Sequence, residues 1–259
     1  MLEITPVRAF EDNYIWMIAA PGSDIALVVD PGDETPVLEW LQAHGKRLGA
    51  ILITHHHYDH TGGIPELIQA YPGIPVYGPA RESIRGLTHP LKEGERVAIS
   101  GCESSLQVLE VPGHTAGHIA YYGEGALFCG DTLFAGGCGR VFDGTFEQLA
   151  SSLRRIAQLP PETLIYCAHE YTLDNLGFAS WVEPKSEALR QRIIQEQKQR
   201  EAGLPTLPSR LALELQTNPF LRTSVPSVKG MIEKAADTSL ANDTAVFTAL
   251  RQWKDKEYD

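Results

Sequence analysis

The sequence predicts a layered α/β domain followed by a helical one. Two observations carry this. Through the first two-thirds of the chain, short β-branched and aromatic runs are punctuated by Gly and Pro, and helical patterns separate several of them. After Asn175 the β-type runs fade and long helical patterns take over.

The strand candidates, in order, are YIWMIAA (14–20), IALVVD (25–30), GAILIT (49–54), IPVYG (74–78), LQVLEV (106–111), IAYYG (119–123), ALFCG (126–130) and TLIYCA (163–168). Each has strand length and is bounded by turn residues. The interleaved helices are TPVLEWLQAHG (35–45), IPELIQAY (64–71) and TFEQLASSLRRIAQL (145–159). Three more follow. EPKSEALRQRIIQEQKQREAG (183–203) has Pro184 near its start and Gly203 at its end. VPSVKGMIEKAAD (225–237) and NDTAVFTALRQWKDK (242–256) complete the set. The expected division is a catalytic domain over 1–172 and a helical substrate-binding domain over 173–259.

With 259 residues the chain can bury a substantial core. Its net charge of −11 argues against general nucleic-acid binding, which needs a basic surface. The four cysteines (Cys102, Cys129, Cys138, Cys167) show no C-x-x-C spacing and are too sparse for a disulfide scaffold. The N-terminus lacks a basic segment, and no apolar run is long enough to span a bilayer. The expectation is a soluble, cytoplasmic monomer.

The stretch THHHYDHTGG at 54–63 carries the chemistry. It follows directly on the GAILIT strand. In extended backbone, residues two apart face the same way, so His55 and His57 present their rings together while His56 points elsewhere. Asp59 and His60 follow as the chain turns, and Thr61-Gly62-Gly63 supplies a flexible lead into the next helix. A histidine pattern H-x-H-x-D-H at a strand end is a metal-binding signal.

Three further apolar runs lead into metal-type side chains: LQVLEV into His114, ALFCG into Asp131, and TLIYCA into His169. In layered α/β architectures functional groups collect beyond one end of the strands. Seven ligand candidates result: His55, His57, Asp59, His60, His114, Asp131 and His169. A structural zinc takes four ligands, so seven suit two metals instead. His55, His57 and His114 would hold one ion, Asp59, His60 and His169 the other, and Asp131 would bridge. Paired ions of this kind are a recurring device for hydrolysis. Mixed imidazole and carboxylate ligands accept zinc, iron or manganese, and zinc is the expected occupant. His44 and His89 read as exposed polar residues, His118 as a residue supporting the ligands or packing beside them, and Cys129 as a buried structural thiol.

The motifs T-H-H-H-Y-D-H-T-G-G, P-G-H-T-A-G-H, F-C-G-D-T-L-F and A-H-E-Y-T resemble the metallo-β-lactamase superfamily. With D-N-Y-I-W near the start, G-C-G-R at 137–140, N-P-F-L-R at 218–222 and R-Q-W-K-D at 251–255, the chain looks more narrowly like the glyoxalase II (hydroxyacylglutathione hydrolase) family. The resemblance implies a four-layer αβ/βα sandwich with a C-terminal helical domain. It implies hydrolysis of S-2-hydroxyacylglutathione thioesters, chiefly S-D-lactoylglutathione, by a metal-bridging hydroxide that Asp59 helps to orient. It also implies glutathione contacts at Arg140, Tyr171, Asn175, Arg251 and Lys254. Phe142 stands where some family members have Tyr, so a hydroxyl is missing there. Glutathione carries two carboxylates, which the three cationic side chains would meet. The competing readings are another hydrolase on the same fold, a persulfide dioxygenase with a single iron, and a non-catalytic metal-binding protein.

Overall fold

The computed structural model describes residues 2–258. By backbone packing the described chain separates into two compact units, one of residues 2–110 with 116–130, the other of 111–115 with 131–258.

The first unit holds a mixed sheet of six strands in sequence order. They are β1 (Glu3–Ala9), β2 (Asn13–Ala19), β3 (Ile25–Val29), β4 (Arg47–Leu52), β5 (Val76–Pro79) and β6 (His89–Leu91). The first three are antiparallel neighbours, and β3 through β6 run parallel. Strand β2 is buried along its whole length, as a continuous apolar run predicts. Strand β1, EITPVRA, carries Pro6, which obscures it in the sequence. Its place at the sheet edge makes the missing N–H harmless.

Helix α1 (Glu34–Ala43) is capped by Asp33, whose carboxylate accepts from Thr35 N at 2.8 Å. A short helix α2 (Tyr58–Thr61) and helix α3 (Ile64–Ala70) follow β4. Val37 and Leu41 of α1 and Ile64 and Leu67 of α3 join one core with Ile15, Met17, Val28 and Ile51 of the sheet. Each such side chain contributes about 1.5–3 kcal/mol on full burial. Four more strands, β7 (Arg96–Ala98), β8 (Ser105–Glu110), β9 (Ile119–Gly123) and β10 (Ala126–Gly130), form an antiparallel meander in this unit.

The second unit opens with the hairpin β11 (Leu133–Phe134) and β12 (Gly137–Cys138). Helix α4 (Phe146–Ile156) begins with a capping box: Gln148 N donates to Thr145 Oγ1 and Thr145 N to Gln148 Oε1. Its buried face is Leu149, Ala150, Leu153 and Ile156. Strand β13 (Leu164–Cys167) leads to helices α5 (Thr172–Val182) and α6 (Glu187–Glu201). Strand β14 (Ser209–Arg210) pairs antiparallel with β13. Helix α7 (Leu211–Thr217), a 3-10 turn (Pro219–Leu221), helix α8 (Pro226–Ala236) and helix α9 (Asp243–Glu257) complete it. Among the described residues no helix is long and apolar enough to cross a membrane.

All eight predicted strands and all six predicted helices are present, with ends shifted by a few residues. Helix α5 escapes the sequence pattern because it buries residues on most of its circumference, Thr172, Asn175, Leu176, Phe178, Ala179 and Val182.

Candidate functional site

In the first unit the chain leaves β4 extended and delivers the histidine run. His55 Nε2 and His57 Nδ1 lie 3.1 Å apart, so the two rings do converge. His56 turns the other way, and its Nδ1 meets Glu82 Oε2 at 3.0 Å. His60 is fully buried, with its ring 4.1 Å from that of His55. His118 lies flat on His55, with centroids 4.6 Å apart and planes 18° from parallel, a packing role.

Two residues that sequence reasoning did not single out orient this group. The first is Asp30, at the end of the β3 run. Its buried carboxylate accepts from Thr54 N at 2.8 Å and Thr54 Oγ1 at 2.7 Å. It also lies 3.1 Å from His60 Nδ1. A carboxylate there holds a proton on Nδ1 and turns the Nε2 lone pair toward the ligand side. Asp30 has φ 52°, a strained conformation for a non-glycine, which fits a residue held in place by its function. The second is Asn13, whose Nδ2 donates to Asp59 Oδ2 at 3.0 Å. The visible signal for Asp30 was an acidic residue ending an apolar strand, the same signature that marks Asp131.

The glycines at 62–63 act by size rather than flexibility. Both have right-handed helical φ values, −59° for Gly62 and −80° for Gly63. A Cβ on Gly62 would come 2.5 Å from Gly32 O, and one on Gly63 2.7 Å from Glu34 N. The expected flexible lead is a site of close backbone approach.

In the second unit three donors converge. Asp131 Oδ2 lies 3.5 Å from His114 Nε2 and 3.4 Å from His169 Nε2. His114 Nδ1 donates to the Arg140 carbonyl at 2.8 Å, which leaves its Nε2 as a lone pair. His169 stacks on Tyr171, with centroids 4.7 Å apart and planes 5° from parallel.

These geometries test whether the residues suit a metal. With Nδ1 protonated toward Arg140 O, the His114 lone pair faces a carboxylate oxygen. His60, held by Asp30, presents Nε2 to Asp59 Oδ2 at 3.3 Å in the same way. Lone pair facing lone pair is repulsive unless a cation or an extra proton lies between them. Imidazoles backed by oxygen acceptors and facing carboxylates are a donor set for divalent ions.

The expected substrate contacts all belong to the second unit. Arg140 and Tyr171 are partly exposed. Asn175, Arg251 and Lys254 are buried. Asn175 Nδ2 donates to Ala135 O at 3.2 Å. Arg251 donates to Cys138 O at 3.0 Å and pairs with Asp255 at 2.8 Å. Lys254 Nζ lies 3.7 Å from Asp174 and over the Tyr258 ring. Arg140 lies 3.8 Å from the same Asp255, so two carboxylates face the three cations. Phe142 is exposed, its ring edge-on to His114.

Burial pushes the Cys138 thiol up to about 11, against the pull of Arg251, and the Cys167 thiol up to about 12. Both are structural groups rather than nucleophiles.

The fold is that of the metallo-β-lactamase superfamily, whose model matches residues 9–169. The remainder, residues 170–257, matches the model of the hydroxyacylglutathione hydrolase C-terminus. A hydroxyacylglutathione hydrolase of Alkalilimnicola ehrlichii is 54% identical over 99% of this chain and 100% of its own length. One of Methylobacillus flagellatus is 55% identical over 98% and 99%. Among solved structures, TTHA1623 in a di-iron-bound form superposes with a TM-score of 0.60 at 29% identity, covering 84% of this chain and 100% of that one. The chain belongs to the hydroxyacylglutathione hydrolase family.

Proposed function

We propose that this protein hydrolyses S-2-hydroxyacylglutathione thioesters, chiefly S-D-lactoylglutathione, to a 2-hydroxy acid and glutathione, the last step of methylglyoxal detoxification. The observation that carries this reading is Asp131, one carboxylate oxygen facing Nε2 of two buried histidines, His114 and His169. Family membership supplies the substrate class. In this reading His55, His57 and His114 would hold one divalent ion, Asp59, His60 and His169 would hold a second, and Asp131 would be a ligand to both. The expected metal is zinc, with iron or manganese as substitutes. When bound, the ions supply a Lewis acid for the thioester carbonyl and lower a water's pKa from ~15.7 toward ~7.

The chain's own residues do the rest. Asp30 fixes the tautomer of His60, and the Arg140 carbonyl fixes that of His114. Asn13 holds Asp59 in one rotamer, from which the carboxylate orients the attacking water as well as serving as a ligand. No side chain needs to protonate the leaving sulfur strongly, because a thiol of pKa ~8.5 departs readily as thiolate. Arg140, Tyr171, Asn175, Arg251 and Lys254 form the glutathione-binding set. Residues 1–172 act as the catalytic domain and 173–259 as the substrate-binding domain of a cytoplasmic monomer.

The test is a metal-resolved assay. Chelated protein should lose thioester cleavage and regain it on return of zinc, iron or manganese. Full activity without metal would end the proposal. A panel of lactones and β-lactams, and oxygen uptake with glutathione persulfide, would expose the rival hydrolase and dioxygenase activities.

A further inference from the structure

The segment from Phe134 to Arg140 follows closely on Asp131 and ends at the cation Arg140; besides the β11–β12 pairing and Gly139 N to Thr132 O, its backbone is held by side chains. Asn218 Nδ2 donates to Phe134 O at 3.2 Å and Gly137 O at 2.9 Å. Asn175 Nδ2 reaches Ala135 O, and Arg251 Nη1 reaches Cys138 O. Gly136 N donates to Glu214 Oε2 at 2.8 Å. The segment ends at the Arg140 carbonyl, which accepts from His114 Nδ1. Backbone buried this deeply needs a partner for each polar group, and here the side-chain partners come from α5, α7, α9 and the residue before the 3-10 turn.

Glu214 is the centre of this set. It is fully buried in α7. One oxygen takes the Gly136 N–H and the Asn218 amide, the latter at 3.1 Å. The other takes Arg192 Nη2 and the Ser209 hydroxyl. Arg192 is itself buried in α6 and also donates to Thr217 Oγ1 at 2.7 Å. All four acceptor directions of the carboxylate are used, so it has one orientation.

We propose that Glu214, charge-paired with Arg192, is a positioning residue for the segment 134–140. It fixes Gly136 directly and Phe134 and Gly137 through Asn218, and so sets where the Arg140 carbonyl meets His114 and where the Arg140 side chain stands to meet a substrate carboxylate. This rests on the thioesterase reading above.

Glu214→Gln is the test variant. Its amide nitrogen must face at least one existing donor, so a charge-assisted hydrogen bond is lost and a donor–donor contact is gained. The loss of one such bond, about 1.4 kcal/mol, corresponds to roughly tenfold. Two quantities are measured well below the variant's own melting temperature: KM for S-D-lactoylglutathione and the calorimetric Kd for glutathione. Both should rise about tenfold, with kcat falling less. Glu196→Gln, which changes the other acid beside Arg192 without touching the segment, should leave both at the parent values. A lowered melting temperature with unchanged KM and Kd in Glu214→Gln would reduce Glu214 to a stabilising residue and overturn the proposal. If that variant does not fold, Asn218→Ala removes two of the same carbonyl contacts and reads the same two quantities with the same consequence. Parent protein that binds glutathione but does not cleave the thioester would strike the functional reading instead, and is seen separately.

Discussion

The hydrogen bond from Asn13 to Asp59 gives a sharp way to test how the ligands are held. Asn13 is nearly buried, while the Asp59 side chain is 38% exposed, so the amide is the fixed partner and the carboxylate the one positioned. Removing the amide in Asn13→Ala deletes a charge-assisted bond of 3.0 Å. Such bonds contribute about 1.5–3 kcal/mol, and the exposure of Asp59 argues for the lower end. About 1.4 kcal/mol is a tenfold change, so Asn13→Ala should release the ion proposed for Asp59 and His60 at roughly tenfold less chelator. Turnover should fall by a similar factor, while KM should stay within about twofold, because the expected glutathione contacts lie elsewhere in the chain. Asn13→Asp should be worse than the alanine, since it sets a second carboxylate against the first. The assay is metal content after dialysis against graded chelator, paired with steady-state kinetics on the same samples. If Asn13→Ala kept its metal through the same chelator range and its kcat within twofold, the inferred ordering role would be wrong.

Asp131→Ala should lose both metal content and turnover, by more than the ~10–100-fold typical of losing a group behind a ligand, and elemental analysis with kinetics would check it. Native protein treated with iodoacetamide near pH 8 should label the exposed Cys102 and spare Cys138 and Cys167, whose thiols burial raises to about 11 and 12. Peptide mapping reads the result, and equal labelling of all three would contradict the buried assignment. Burial also raises the Glu196 carboxyl above its usual 4.5, so the folded chain binds that proton more tightly than the unfolded one. The stability this group confers is therefore full below pH 4.5 and is lost as pH rises through the raised value. Glu196→Gln should flatten that fall, with a melting temperature relative to the parent that improves from pH 4.5 to pH 7. A relative decline over that range would refute it.

The strands and helices were legible because burial writes a period into the sequence. The runs YIWMIAA and ALFCG are wholly apolar and their strands are wholly buried. The seven ligand candidates stood out in the sequence because each follows such a run or lies in one motif. What the sequence hid was of two kinds. Some elements have no one-sided pattern: β1 carries a proline at a sheet edge, and α5 is buried on several faces with Gly177 inside it. Some residues act through partners far away in sequence. Asp30 meets His60 across 30 positions, Asn13 meets Asp59 across 46, and Glu214 meets Gly136 across 78. No local spacing announces such a pair. The glycines at 62–63 were visible but misread, because a need for small size and a need for flexibility give the same letter.

The charge partners within the chain, which spacing does not reveal, bear on substrate binding. Arg140, Arg251 and Lys254 are expected to meet two substrate carboxylates, and Asp255 and Asp174 already face them. The three are not equivalent. Arg251 is buried and tied to both the Cys138 carbonyl and Asp255, so releasing it would leave a buried acceptor and a buried charge unmatched, a cost of several kcal/mol. Arg140 is half-exposed and its pairing with Asp255 is long, at 3.8 Å. The exposed Arg140–Asp255 pair contributes about 0–1 kcal/mol, so exchanging its partner for a substrate carboxylate costs little. Lys254 is buried, 3.7 Å from an exposed Asp174, and does not belong with such exposed pairs. In the proposed reading Arg140 is therefore the cation that changes partners when substrate arrives. Arg251 serves as a fixed strut whose charge is felt without being moved.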